Sequence, residues 1–143
     1  MSTRATSHIT SSFSASALLL HRSLQLDALT SLVGAAGFLA VGLSPLAQIM
    51  GFTEPALPLI VGVVLLAYVG WLFWLTRRPD AQPRQALLVI AINDCWVVGW
   101  LAVLIFNLLP LTLLGKLFVG LMVVIVALFA LVEFYAIRKM RTE

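Results

Sequence analysis

Uncharged apolar runs of membrane-spanning length are the feature that most constrains this fold. Residues 28–53 and 55–76 contain no charged side chain, and two further apolar stretches lie between Arg84 and Arg138. A helix needs about 20 apolar residues to cross a hydrocarbon core of about 30 Å. Charged residues make up only 10% of the chain, whereas soluble proteins average about 25%. The sequence therefore predicts an integral membrane protein.

The apolar runs divide into four predicted spans. These cover residues 27–46, 56–75, 86–106 and 113–135. Proline, glycine and charged residues separate them, as expected for short connections. We therefore predict an all-α polytopic membrane protein, with an antiparallel four-helix transmembrane domain over residues 27–137 and a basic tail over residues 138–143.

Basic residues indicate how the spans are oriented, because Lys and Arg near span ends collect on the cytoplasmic side. Eight of them fall on one predicted side: Arg4, Arg22, Arg77, Arg78, Arg84, Arg138, Lys139 and Arg141. Only Lys116 falls on the other side. We expect both termini to lie in the cytoplasm. The net charge of +3 then reflects topology and contact with anionic lipid, and nucleic acid is not an expected partner.

The segment before the first predicted span, residues 1–26, is rich in Ser and Thr. Its apolar residues recur every three or four positions, at Ile9, Phe13, Ala17, Leu20 and Leu24. This spacing predicts a helix lying in the membrane interface, and a disordered tail is the alternative. A targeting peptide is disfavoured because the apolar run "ALLL" is short.

Asp94 is the most unusual residue, because it lies inside the third apolar run. At about 1.5 Å per residue from Arg84, it reaches about 15 Å of depth, near the midplane. An ionised Asp there costs about 2.5 to 3.5 kcal/mol, so it must be protonated, paired or hydrated. Tyr68 reaches a matching depth and is the predicted hydrogen-bond partner. Asp94 is either a proton or cation site or a carboxyl that locks helices together, and the sparse polar residues favour the lock.

Asn93 and Trp96 complete the predicted polar cluster of the third span. Asn93 is rotated by about 100° from Asp94, so the two cannot face one neighbour. Trp96 lies one turn from Asn93 on the same face, and its indole N–H needs an acceptor. Asn93, a side chain on another helix or a bound cofactor would each serve.

Two more carboxylates mark the predicted inner ends of spans. Asp27 opens the first span, where a carboxylate suits a helix N-terminus, so capping is the favoured role. Glu133 lies about 7.5 Å inside Arg138, and an ion pair with Arg138 or another basic residue is favoured. The alternative is a proton half-channel, in which Asp27, Glu133 and Asp94 share a water-filled vestibule.

Glycines occur in every predicted span and favour close helix packing. The packing positions we predict are Gly34, Gly37, Gly62, Gly70, Gly99 and Gly120. Some of them could instead face a partner protein, because four helices leave most of their surface toward lipid or other subunits.

Catalytic and cofactor motifs find little support. Cys95 is the sole cysteine, which excludes an internal disulfide and a CxxC pair. Both histidines, His8 and His21, precede the first span, so no intramembrane pair can ligate a haem. We predict no catalytic residue, no metal and no cofactor, whereas a bound lipid or pigment stays open.

Three stretches carry a family resemblance. They are "LDALTSLVGAAGF", "GLSPLAQIMGF" and the Asn-x-x-Trp unit from Asn93 to Trp96. With them the chain resembles small four-span bacterial inner-membrane proteins of uncharacterised families, which implies fold and location but no activity. Small multidrug exporters also have four spans, yet they differ because their essential acid lies in the first span, whereas Asp94 lies in the third.

The function we expect from the sequence is helix packing without enzymatic activity. The chain would be an accessory or structural subunit of a larger membrane complex, or a homo-oligomer. The alternative is a small proton-coupled transporter or channel that uses Asp94 as its titrating group.

Overall fold

The computed structural model describes residues 15–77 and 83–140. The helices are α1 (Ala15–Gly42), α2 (Leu46–Ile49), α3 (Ala56–Thr76), α4 (Pro83–Ile105) and α5 (Leu113–Met140). Within these two ranges the chain forms no strand. Four stretches are long and apolar enough to cross a membrane: Leu18–Gly42, Ala56–Thr76, Arg84–Ile105 and Leu113–Lys139. The predicted all-α class with four such helices is therefore confirmed for the described residues.

Helix α1 begins earlier than the predicted first span. It is continuous from Ala15, and its apolar stretch starts at Leu18 rather than at Asp27. Leu20 and Leu24, which we assigned to an interfacial helix, are buried side chains of α1. The predicted boundary after residue 26 thus falls within one helix. Residues 1–14, the remainder of the predicted interfacial segment, lie outside the described part of the chain.

The connection between α1 and α3 packs against the connection between α4 and α5. Gly51 has a φ of +85°, and a Cβ there would collide with the Pro110 carbonyl oxygen. The Thr112 N–H donates to the Met50 carbonyl oxygen at 3.0 Å. Thr112 Oγ1 also donates to the Ile49 carbonyl oxygen at 2.9 Å. These contacts fix the start of α5 beside the α1–α3 connection.

Helix α1 packs along both α3 and α5, and α4 packs against α5. By contrast, α3 and α4 make little close backbone contact, although they are consecutive spanning helices. The α1–α3 seam depends on glycine: a Cβ on Gly62 would lie 2.7 Å from Leu39 Cγ and 3.1 Å from the Leu39 backbone nitrogen. Gly42 meets Leu59 in the same way, with 2.6 Å to Leu59 Cγ. Gly62 therefore lies at a close contact, as we predicted.

The other predicted packing glycines have looser surroundings. A Cβ on Gly34 or Gly37 would meet a side-chain atom of α5 at 3.4 Å, which is ordinary van der Waals contact. No atom of the described chain lies within 4 Å of the Cβ position of Gly70, Gly99 or Gly120. These three glycines therefore make no close helix contact within the described chain, and the alternative that they face a partner protein stays a prediction.

Two apolar layers lie along the helices. One, the terminal layer, lies where α1 and α4 begin and α3 and α5 end, and its core is Leu20, Leu24, Ala28, Leu72, Leu75, Ala86, Val89, Ile90, Ala136 and Ile137. The other, the aromatic layer, lies toward the opposite end and is centred on Phe38, Phe52, Trp100, Val119 and Val123. Polar side chains buried between these layers form the candidate site.

Candidate functional site

Four helices each place a polar side chain between the terminal and aromatic layers. This polar layer consists of Asp27 and Ser31 from α1, Tyr68 from α3, Asn93 from α4 and Glu133 from α5. Asp27, Asn93 and Glu133 are only 1%, 3% and 0% exposed. The spacing of four residues puts Ser31 on the same face of α1 as Asp27. Burying this many polar groups requires partners, because each unpaired group is costly away from water.

A closed triangle of hydrogen bonds joins three of these residues. The Tyr68 Oη to Asn93 Oδ1 distance is 2.8 Å, and Asn93 Nδ2 donates to Asp27 Oδ2 at 3.1 Å. Tyr68 Oη also lies 3.2 Å from Asp27 Oδ2. A weaker bond runs from the Ser31 hydroxyl to Asp27 Oδ1 at 3.4 Å. The triangle therefore ties α4 to α3, two helices that otherwise pack loosely.

The three hydrogen bonds of the triangle need three donated protons, but the Tyr68 hydroxyl and the Asn93 amide supply only two. Tyr68 has a single O–H, so it can donate to either Asn93 or Asp27 but not to both. If it donates to Asn93, the edge to Asp27 is filled only when the Asp27 carboxyl carries a proton. Exchanging the amide oxygen and nitrogen of Asn93 moves the deficit to the Asp27–Asn93 edge and leaves the requirement unchanged. Complete hydrogen bonding thus corresponds to a neutral Asp27.

Glu133 is fully buried, yet neither of its carboxyl oxygens has a hydrogen-bond partner among the described residues. Like Asp27, it is enclosed in the interior where α1 packs against α5. The ion pair that we predicted with Arg138 does not form. Five residues correspond to about 500° of helix, so Arg138 points about 140° away from Glu133, and it is exposed.

Asp27 does not cap a helix, which corrects our prediction. Because α1 begins at Ala15, Asp27 lies in the fourth turn, where the backbone N–H groups are already bonded within the helix. Its side chain turns instead toward Tyr68 and Asn93. The charge of Arg22, which we placed before the first span, led to a start that was too late.

Asp94 lies outside the polar layer. Its side chain is exposed, and Tyr68 bonds to Asn93, so the predicted Tyr68–Asp94 pair is wrong. Residues 89, 93, 96 and 100 share one stripe of α4, and this stripe faces the interior. Three of its members are apolar or aromatic and pack inward, so Asn93 follows them and Asp94 turns away. The spacing of these residues in the sequence indicates that Asn93 faces the interior, but our prediction followed the charge of Asp94 instead.

Trp96 belongs to the aromatic side of the interior. Its ring meets Phe38 edge-on with centroids 6.3 Å apart and meets Trp100 at 5.8 Å. Phe38 also stacks on Trp100 at 5.8 Å. The Asn93 amide bonds that we identify go to Tyr68 and Asp27 rather than to the Trp96 indole. Trp96 therefore closes the polar layer on its aromatic side.

A small cavity adjoins the polar layer. It measures about 60 Å³ and is lined by Ser31, Val64, Leu65, Tyr68, Ile92, Asn93, Trp96 and Val126. A water molecule needs about 10 to 15 Å³ of such volume and two or more polar partners. Ser31, Tyr68 and Asn93 provide those partners, so the cavity has room for water beside the triangle.

The polar groups of the layer that could bind a proton or a metal ion are two carboxyls, one amide, one phenol and one hydroxyl. Across residues 15–77 and 83–140, no three His, Cys, Asp or Glu side chains group as metal ligands. The arrangement is suited to holding protons and hydrogen bonds within an apolar interior. No family model, curated protein or solved structure matches this chain.

Proposed function

We propose that this protein is a small proton-coupled membrane transporter or channel, whose titrating groups are Asp27 and Glu133 rather than Asp94. The observation that carries the proposal is the complete burial of Glu133, whose two carboxyl oxygens have no hydrogen-bond partner among the described residues, in an interior that also encloses the Asp27 carboxyl. Ionisable groups inside membrane spans are expensive and usually mark an ion or proton pathway.

The charge balance of the polar layer supports proton binding. Two ionised carboxylates enclosed in one apolar interior would repel each other, and the partners identified for Asp27 are the neutral side chains of Ser31, Tyr68 and Asn93. Protons are the simplest neutralising species, and the hydrogen-bond triangle already accommodates one on Asp27. Uptake or release of one proton would change the charge of the layer by one, whereas a transfer between Glu133 and Asp27 would move the proton within the layer at constant charge.

The path across the molecule follows from the two apolar layers. Toward the aromatic side, the cavity of about 60 Å³ would hold the water that passes a proton onward from Tyr68 and Asn93. Beyond it, Phe38 and Trp100 stack within a cluster of buried hydrophobic side chains. We therefore place the gate at the aromatic layer, where a rotamer change of Trp96 would connect the cavity with the far side.

The test is proton flux in proteoliposomes that enclose a pH-sensitive dye. An imposed pH gradient should collapse faster with the wild-type protein than in empty vesicles, and Glu133→Gln should remove the difference because its amide cannot exchange a proton. Asp94→Asn is the matched control, since it makes the same chemical change on an exposed side chain and should retain flux. Equal flux in Glu133→Gln and wild type, or none in wild type, contradicts the proposal.

We further propose four antiparallel spans in one bundle with both termini in the cytoplasm, which the distribution of basic residues supports. The location that we propose, a bacterial inner membrane, rests on the resemblance to small four-span proteins. A thiol-reactive, membrane-impermeant label applied to intact cells tests this orientation. In a Cys95→Ala background, a cysteine at Glu54 should be labelled from outside, whereas one at Arg138 should be labelled only after lysis. Labelling of the Arg138 position in intact cells contradicts the orientation.

A second candidate function is that of an accessory or structural subunit that acts through helix packing. It is favoured by Gly70 on α3 and Gly120 on α5, whose outward Cβ positions have no neighbour within the described chain. Extraction in native nanodiscs followed by mass spectrometry would test it. A stoichiometric larger protein, lipid or pigment retained with the chain supports it, and its loss in Gly120→Leu would identify the surface.

A further inference from the structure

The outward face of α4 contains the other intramembrane acid. This face consists of Ala91, Asp94, Cys95, Val98 and Gly99, which are all exposed. Asp94 stands in the middle of the apolar stretch Arg84–Ile105, ten residues from its first residue and eleven from its last. None of the hydrogen bonds or ion pairs identified among the described residues involves it. A carboxyl left in that position would face the hydrocarbon directly, which proteins rarely tolerate.

The same face is shaped for close approach by another helix. Ala91, Cys95 and Gly99 recur every four residues, a small-residue spacing that lets two helix backbones pack closely in membranes. No described atom lies within 4 Å of the Cβ position of Gly99. Beside it, an apolar groove of about 420 Å³ opens between α3 and α4, and Cys95, Gly99 and Val103 contribute to its lining. The loose α3–α4 packing leaves this groove open among the described residues.

We propose that a second copy of this chain docks on the outward face of α4, so that two α4 helices cross at Cys95 and Gly99 and the two Asp94 carboxyls hydrogen-bond to each other. The chemistry of the carboxyl selects this occupant. A neutral carboxylic acid has one O–H donor and a carbonyl acceptor, so two copies across a two-fold axis satisfy each other without a base. An unlike partner would have to supply its own polar group at the same depth.

The dimer makes a geometric prediction about the sole cysteine. Cys95 follows Asp94 and lies on the crossing side, so the two Cys95 thiols should come within reach of a short bis-maleimide. Wild-type protein at a high lipid ratio should therefore give a covalent dimer. The control is Cys95→Ala combined with Leu128→Cys, which moves the thiol to an exposed position of α5. That variant should remain monomeric.

Variants of the face separate specific docking from random collision. Gly99→Leu fills the crossing point and should abolish the cross-linked dimer. Asp94→Leu removes the reciprocal bonds and should raise the dimer dissociation constant by about 3- to 30-fold, since an interhelical hydrogen bond in membranes is weak to moderate. Asp94→Asn keeps a donor and an acceptor, so its dimer dissociation constant should lie within a few-fold of the wild-type value.

Three outcomes overturn the proposal. The first is equal cross-linking through Cys95 and through the control position, which would indicate random collision. The second is unchanged dimer in Gly99→Leu, which would place the contact elsewhere. The third is cross-linking of Cys95 in native membranes to a different protein in place of a second copy. Unaltered thermal unfolding of Gly99→Leu would show that the variant itself is folded.

Discussion

The interior of the protein and the outward face of α4 each contain an acid and a glycine, in opposite surroundings. Inside, Asp27 is hydrogen-bonded to neighbouring helices, and the α1–α3 seam closes over Gly62. Outside, Asp94 is exposed, and Gly99 has no neighbour within the described chain. The interior acid and the interior glycine thus each have neighbours on another helix, whereas none is identified within the described chain for the Asp94 carboxyl or the Gly99 Cβ position.

The difference shows that depth in the membrane does not determine what an acid does. Asp27 and Asp94 both lie well within apolar stretches, but only Asp27 has a tyrosine and an amide within hydrogen-bond distance. Partners on other helices decide whether a buried carboxyl is satisfied. An acid without such partners must be protonated, bind a cation or contact another chain.

The largest expected effect comes from closing the glycine seam. Gly62→Leu should lower the free energy of unfolding by about 3 kcal/mol, because the new side chain collides with the Leu39 backbone. Gly99→Leu, the matched change on the outward face, should leave the unfolding of the dilute, micelle-bound monomer within about 0.5 kcal/mol of wild type. Denaturant titration in mixed micelles measures both. Similar losses in the two variants would erase the distinction between the faces.

Breaking the hydrogen-bond triangle should have the next largest effect. Asn93→Leu leaves the Tyr68 hydroxyl and the Asp27 carboxyl short of partners inside the protein and should cost about 2 kcal/mol. Asp94→Leu alters the adjacent residue without touching the triangle and should be nearly neutral in the monomer. The same titration reports on both variants. A stable Asn93→Leu protein would mean that the triangle contributes little to folding.

Removing the Glu133 carboxyl should change the free energy of unfolding in the opposite direction. Glu133→Leu replaces an unpartnered buried acid with an apolar side chain of similar size and should raise the free energy of unfolding by about 1 to 2 kcal/mol. Under the proposed function, the same variant should lose proton flux in proteoliposomes. Greater stability with unchanged flux would separate Glu133 from transport. Lower stability would show that the carboxyl has a structural partner.

The smallest effect should come from Tyr68→Phe. This change removes one hydroxyl and leaves the ring in its contact with Trp71, so the expected loss is about 1 kcal/mol. Tyr135→Phe is the control, because Tyr135 is exposed on α5. Thermal unfolding followed by near-ultraviolet circular dichroism reports the difference. An equal effect of the two changes would argue against the bond between Tyr68 and Asn93.

The sequence predicted the number of spans because apolar length alone determines it. The third span, predicted as 86–106, and the fourth, predicted as 113–135, agree closely with α4 and α5. The start of α1 was predicted too late because Arg22 and Asp27 resemble an interfacial boundary. Side-chain length resolves that difference: Arg22 is exposed and can extend along the helix surface, whereas Asp27 is short and stays buried.

Of the candidate site, the sequence singled out Asp27, Tyr68, Asn93 and Glu133. It placed Tyr68 and Asn93 in one cluster, as the structure has them, but it centred that cluster on Asp94. It paired Tyr68 with Asp94 and assigned Asp27 and Glu133 to helix ends. Depth counting locates a residue along a helix but not around it. The rotation of α4, with Asn93 inward and Asp94 outward, depends on how Val89, Trp96 and Trp100 pack against the other helices.

By itself, the sequence determined that four helices of this chain can cross a membrane, because that property depends only on the length and polarity of local runs. The tertiary structure decided which acid is enclosed. Hydrogen bonds such as Tyr68 to Asn93 and Asn93 to Asp27 join residues 25 and 66 positions apart, and no local pattern specifies them. Their formation requires the apolar stripes of several helices to pack at once, which fixes every helix rotation together.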